Sequence, residues 1–243
     1  MKLEEFCSRF HNFLGQEPET PQIFKTGQQL LGELLSDARW FWEVLQKLVS
    51  DSAYLEAQPS SVFANEKTLH RSPDRSFSVL AYIWEPRTLC EIHDHGSWGL
   101  IGSLVNEVRE VRYRRLDDGQ VEGYARLEES SSKVIKPGAV IPILPLDKGI
   151  HTTGAAADER AISVGVYGRS IRQGYIQFFY PSENRTVRAY SPKLFKKVLA
   201  VRALASAPEI GDKGALASSL LRSLPEYLVR EFELSLSKSA PNR

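Results

Sequence analysis

The 243-residue sequence predicts an all-β core, a sandwich or barrel of short strands, carried between helical segments at the two ends of the chain. Three changes of texture predict it. Apolar residues recur at helical spacing up to about residue 58, short alternating runs broken by Pro, Gly, Asp and Ser take over from Phe77, and helical spacing returns after Tyr190.

In the first segment Leu3, Phe6, Cys7, Phe10, Phe13 and Leu14 mark one apolar helical stripe, and Leu30, Leu31, Leu34, Leu35, Ala38, Trp42 and Leu45 mark a second. The β region reads as the runs FSVLAYIW, TLCEI, EVREVRY, VEGYARL and AISVGVY, with His70 assigned to a polar turn, LHRSPDR. Beyond it Ser191 is placed as an N-cap, Pro192 at the first helical position, and Leu194, Phe195, Val198 and Leu199 on one helix face. The last stretch, ALASSLLRSLPEYLVREFELSL, adds helix interrupted before Pro225 and ends in a polar tail. The expected organisation is a helical segment over 1–60 packed on the core, the β core over 61–190, and a helical extension over 191–243.

The 31 basic and 30 acidic residues leave a formal charge of +1, so no net field draws the chain to nucleic acid or to an anionic membrane. A small-molecule partner remains. Two cysteines, Cys7 and Cys90, cannot build a disulfide framework, which fits a reducing, cytoplasmic setting. The opening MKLEEFCSRF has no signal-peptide apolar region, and no later run approaches the roughly 20 apolar residues of a membrane span. The substrate's identity and the oligomeric state are written in no pattern.

The sharpest local signal is EIHDHGSWG, residues 91–99, where His93 and His95 stand two apart in a segment that reads as strand. Alternation puts both on one face, about 6.6 Å apart along the strand, so two inward-leaning imidazoles can share an ion at about 2.1 Å per bond. His151, in KGIHTT, is the remaining candidate within the β region, since His11 falls on the first helix. Three His ligands describe catalytic zinc as well as iron, and spacing does not choose the metal.

The runs FSVLAYIW, IHDHGSWGLIG, IHTT and ISVGVYG, over roughly residues 62–180, resemble the cysteine dioxygenase family, and within it the bacterial 3-mercaptopropionate dioxygenases most. The resemblance implies a cupin, a double-stranded β-helix or jelly-roll barrel with flanking N- and C-terminal helices. It implies Fe(II) held by His93, His95 and His151, with other divalent metals such as zinc or nickel acceptable to the same site, and the oxidation of a small mercapto acid by dioxygen to its sulfinic acid. Three neutral ligands leave such an ion its full charge, which favours a soft thiolate and lowers the pKa of the thiol it binds.

The same resemblance suggests roles around the metal. Tyr167 matches the family's active-site tyrosine, and Ser163 shares its strand face. Between them the family carries a histidine that completes a Ser-His-Tyr relay, where this chain has Gly165, so slow turnover and partial rescue by Gly165→His are expected. Gly99 stands where the mammalian enzymes have a cysteine that crosslinks to the tyrosine, which rules out a crosslink from that position. For a substrate carboxylate, Lys67 occupies the place of the mammalian arginine, and Arg169 and Arg172 follow the YG pair; Ile176 stands where the bacterial arginine is expected. Lysine supplies a point charge and no planar fork. Trp98 reads equally as a water-excluding wall and as packing. Cys90 reads as an inert buried thiol. Two further readings stay open: a three-His cupin dioxygenase acting on a non-thiol substrate, and a non-catalytic metal- or ligand-binding cupin.

Overall fold

Four helices precede the first strand: α1 (Leu3–Leu14), α2 (Thr20–Leu35), α3 (Trp40–Ser50) and α4 (Ser52–Glu56). In the computed structural model, which describes residues 1–206 and 221–239, they form where the apolar stripes of the sequence lie. α2 starts on a capping box, in which Glu19 caps the backbone of Gln22 and the Gln22 side chain returns to the Glu19 backbone. α4 is capped by Asp51, which accepts the Tyr54 N–H at 2.9 Å.

Eleven strands follow among the described residues: β1 (Glu66–Arg71), β2 (Phe77–Trp84), β3 (Ile92–His93), β4 (Gly99–Val105), β5 (Val108–Arg115), β6 (Leu127–Ile135), β7 (Val140–Ile143), β8 (His151–Ala155), β9 (Ala161–Gly168), β10 (Ile176–Tyr180) and β11 (Arg185–Ala189). They pair into two antiparallel sheets, ordered β1-β2-β9-β4-β7 and β11-β10-β3-β8-β5-β6. Period-2 alternation divides the first sheet into two faces. Phe77, Val79, Ala81, Leu100, Leu104, Val164 and Val166 join Phe6, Phe10, Leu31 and Leu34 in a core between helices and sheet. Tyr82, Trp84, Ile101, Ala161 and Tyr167 point the other way, into a second core shared with Val108, Ile135 and Ala155 of the opposing sheet. Gly27 of α2 stands where any Cβ would strike Leu100, which lets the helix lie close on β4.

Several boundaries differ from the sequence reading, and edge position explains most of them. β1, with His70 inside it, carries Glu66, Lys67, His70 and Arg71; as the edge of its sheet it needs no continuous apolar pattern. β6 is the other sheet's edge, so ESSSK passes as strand with an exposed outer row, while all of VEGYARL but its last residue lies before it in a turn, a bridge and irregular chain. The run TLCEI contributes only Ile92 to a ladder, with Leu89 bridging Gly154.

The contacts divide the chain into two compact units, Met1–Ala189 and the chain from Tyr190 onward. In the second, α5 (Pro192–Ser206) packs on α6 (Glu226–Ser239), which begins directly after Pro225. The Glu231 carboxylate accepts the Tyr190 hydroxyl at 2.7 Å and the Arg202 guanidinium at 2.6 Å. The buried stripe of α5 is Val198, Val201 and Ala205, at i, i+3 and i+7, while Phe195 and Leu199, expected on that face, are exposed. Residues 215–220 of the expected last helical stretch lie outside the described residues. No described helix is long and apolar enough to cross a membrane.

Candidate metal centre

Register brings the three histidines together. His93 of β3 lies directly opposite His151 of β8, and His95 follows two residues after His93, just beyond the strand end. All three side chains are buried. Their Nε2 atoms converge: His93 to His95 is 3.1 Å and His95 to His151 is 2.9 Å. Two nitrogens bound at about 2.1 Å to one ion stand about 3.0 Å apart when their bonds are at right angles. Both pairs have that spacing.

The outer nitrogens explain why the inner ones face each other. His93 Nδ1 lies 2.8 Å from the Glu91 carbonyl oxygen, which has no proton to give, so the ring nitrogen donates. His151 Nδ1 lies 3.1 Å from Glu110 Oε1, and that carboxylate is also held by Arg112 Nε at 2.9 Å. In the neutral form of either ring Nε2 is then a bare lone pair aimed at the centre. Burial lowers the His93 value, but Cys90 and the Glu91 carbonyl outweigh it and leave it above the ordinary imidazole value. A proton on His95 Nε2 would satisfy only one of the two contacts, whereas a divalent cation satisfies all three nitrogens. Burial, together with His93, His151 and Arg172, holds His95 well below the ordinary imidazole value; burial, His93 and Arg112 do the same for His151. Neutral imidazoles are the form that ligates. Among the described residues these three are the group of His, Cys, Asp and Glu side chains arranged to hold an ion. The donor set fits a divalent metal.

A cavity of about 10 Å³ adjoins the histidines, lined by Phe63, Tyr82, Trp84, Cys90, Ile101, Thr153, Ser163 and Tyr167 besides His93 and His151. Tyr167 stacks on His95 with ring centroids 4.9 Å apart. The Tyr82 hydroxyl, across the cavity wall, donates to Glu66 Oε2 at 3.2 Å. Ser163 lines the cavity, but its Oγ accepts the Trp84 indole N–H at 2.9 Å, so tryptophan and not tyrosine holds the serine. A Cβ at Gly165 would come 2.5 Å from Tyr167 Cε2 and 2.8 Å from its hydroxyl. The tyrosine ring thus occupies the space that the missing relay side chain would need.

The other sequence candidates lie elsewhere. Lys67 pairs with Ala81 on the helix-facing side of its sheet, 3% exposed, with Nζ 3.7 Å from the Tyr54 ring centroid. Arg169 is at the surface, donating to the Asp74 carbonyl. Arg172 forms a two-pronged pair with the buried Asp94 carboxylate, 2.6 Å on one side, and lies over the Tyr175 ring. Trp98 packs edge-on against Phe10 of α1, on the helix side, because its neighbour Gly99 takes the inward position opposite Tyr167. None of the four lines the cavity.

The part played by five residues escaped the sequence reading. Glu110, buried and bonded to a ligand, looks in sequence like one more charge in EVREVRY. Phe63 sits before the first strand and packs edge-on to His93 at 4.8 Å. The Glu66–Tyr82 pair needs the β1–β2 register to be seen. Cys90, expected to be inert, lines the cavity with Sγ 3.7 Å from His93 Nδ1.

No family model matches the chain. Two facing antiparallel sheets with a histidine cluster between them and helices on one outer face make the architecture that of a cupin. The fold is a cupin fold. Among solved structures the chain is similar to a cupin-like protein from Thermotoga maritima (TM-score 0.36, 17% identity, 58% of this chain and 91% of that one). It is also similar to a cupin-2 domain from Rhodospirillum rubrum (TM-score 0.36, 10% identity, 48% and 66%) and to a cupin 2 conserved barrel domain protein from Salinispora arenicola (TM-score 0.32, 15% identity, 45% and 81%).

Proposed function

We propose that this cupin is a non-heme Fe(II) dioxygenase that converts a small thiol and one dioxygen into a sulfinic acid. The observation that carries the reading is the convergence of three Nε2 atoms, with the outer nitrogens of His93 and His151 held by the Glu91 carbonyl and the Glu110 carboxylate. His93, His95 and His151 would hold Fe(II), which would supply the redox chemistry for oxidising a thiol with dioxygen. Overall both oxygen atoms join the sulfur, which gives up four electrons as dioxygen takes them, and the thiol proton leaves with the sulfinic acid.

The chain's own residues account for the rest. Phe63, Ile101 and Trp84 line the cavity and exclude bulk water. Tyr167 lines the cavity with its ring stacked on His95, and its hydroxyl can hydrogen-bond the substrate or an oxygen atom. Burial pushes its acidity below that of an ordinary phenol, so it acts as a donor. Oxygen uptake by the iron-loaded protein against a panel of small thiols and small diketones, with mass detection of the product, tests the reading. Sulfinate at one dioxygen per thiol supports it, and uptake with a diketone alone replaces it with the non-thiol cupin dioxygenase.

A further inference from the structure

Recognition of a carboxylated thiol calls for a cation free to face the cavity, and the described residues leave none. Lys67 lies across the sheet against Tyr54, and Arg169 is at the surface. The two arginines nearest the ligands are already neutralised, Arg172 by Asp94 and Arg112 by Glu110, and both of those carboxylates are buried. A carboxylate stands directly behind the cavity wall. Glu66 faces inward from β1, paired in register with Tyr82, and takes the hydroxyl of Tyr82. Its carboxylate acts on the Tyr167 phenol electrostatically. Burial holds its own value above the ordinary carboxylate range, and Ser61, Tyr82 and the charge of Arg71 only partly offset that rise.

We propose that the site selects a small thiol without a carboxylate, a neutral or amine-bearing one, and that Glu66 behind Tyr82 sets this preference. The inference rests on the thiol reading above. A half-buried carboxylate fixed by the Tyr82 hydroxyl repels an anionic substrate and attracts an ammonium through a medium that screens less than water. The remaining lining, Phe63, Trp84, Ile101 and Thr153, is uncharged and has nothing to offset that bias.

The test uses the full chain loaded with Co(II) without oxygen, since imidazole sites accept that ion and thiolate binding to it is read as a charge-transfer absorption. Dissociation constants are measured for cysteamine, 2-mercaptoethanol and 3-mercaptopropionate, on the parent and on Glu66→Gln, whose amide can still accept from Tyr82. The expected result is that cysteamine and 2-mercaptoethanol bind the parent at least about tenfold more tightly than 3-mercaptopropionate, and that the ratio shrinks several-fold in Glu66→Gln. Preference of the parent for 3-mercaptopropionate overturns this inference and leaves the thiol reading intact, whatever the fate of the variant. An unchanged ratio in a folded, cobalt-loaded Glu66→Gln overturns the role of Glu66. Absorption with none of the three thiols overturns the thiol reading and this inference with it.

Discussion

The ring of Tyr167 lies over the backbone of Gly165, two residues before it on the same face of β9, so close that a Cβ there would stand 2.5 Å from Cε2. The glycine makes room for this tyrosine position, and a side chain at 165 and the present ring cannot coexist. Rescue by Gly165→His, expected from the family resemblance alone, is therefore not expected from the structure. Gly165→Ala should destabilise the fold by about 1–3 kcal/mol. Adding Tyr167→Ala should recover part of that loss, with a coupling above about 0.5 kcal/mol in a double-mutant cycle followed by urea denaturation. Strict additivity would mean that the ring does not hold this position.

Glu110 fixes the tautomer and orientation of His151 through a buried contact of 3.1 Å. Glu110→Gln removes the charge that favours the His151 N–H, and it should weaken metal binding by about 10 to 100-fold. Competition against a chromogenic chelator measures this directly. The fold should persist, because Val108 and Val111 keep β5 in place.

Lys67 should have no part in substrate binding. Lys67→Met should leave the Michaelis constants of charged and neutral thiols equal to the parent's within about twofold, since the side chain faces Tyr54 across the sheet. Its Nζ is buried without a hydrogen-bond partner among the described residues, so stability should hold or rise when the ammonium is removed. Thermal unfolding at pH 7 checks the second part, and a lowered midpoint would show that the ammonium is held more favourably than its surroundings suggest.

Asp117 gives the fold an acid-sensitive element remote from the metal. Arg115 grips it at 2.9 Å, the N–H groups of Gly119 and Arg126 bond it, and despite the opposing effect of burial these contacts bring its carboxyl down to about 2. A folded-state value below the unfolded one adds stability above the ordinary carboxylate range, near pH 4, and that stability drains away as the pH falls toward 2. Asp117→Asn should therefore lower the urea midpoint at pH 7, and the gap to the parent should narrow between pH 4 and pH 2. A gap independent of pH would point to lost packing and not to lost charge.

How much of this could be read beforehand follows from which interactions are local. His93 and His95 declare themselves by alternation two residues apart, and the helix–strand–helix order follows from periodicity. Glu110 could not be found that way, because its pairing with His151 depends on the β5–β8 register across 41 residues. Lys67 shows the cost of a single step along a strand: the residue expected to face the site points to the helices, and its neighbour Glu66 faces in with the opposite charge. The same alternation sends Trp98 outward once Gly99 takes the place opposite Tyr167.

The central claim, that His93, His95 and His151 together hold one divalent ion, is tested most directly by metal content after anaerobic reconstitution with Fe(II) and removal of loose metal. The parent should retain about one iron per chain, and His93→Ala, His95→Ala and His151→Ala should each lose most of it while remaining folded by circular dichroism. Full iron occupancy in any of the three folded variants would contradict the account.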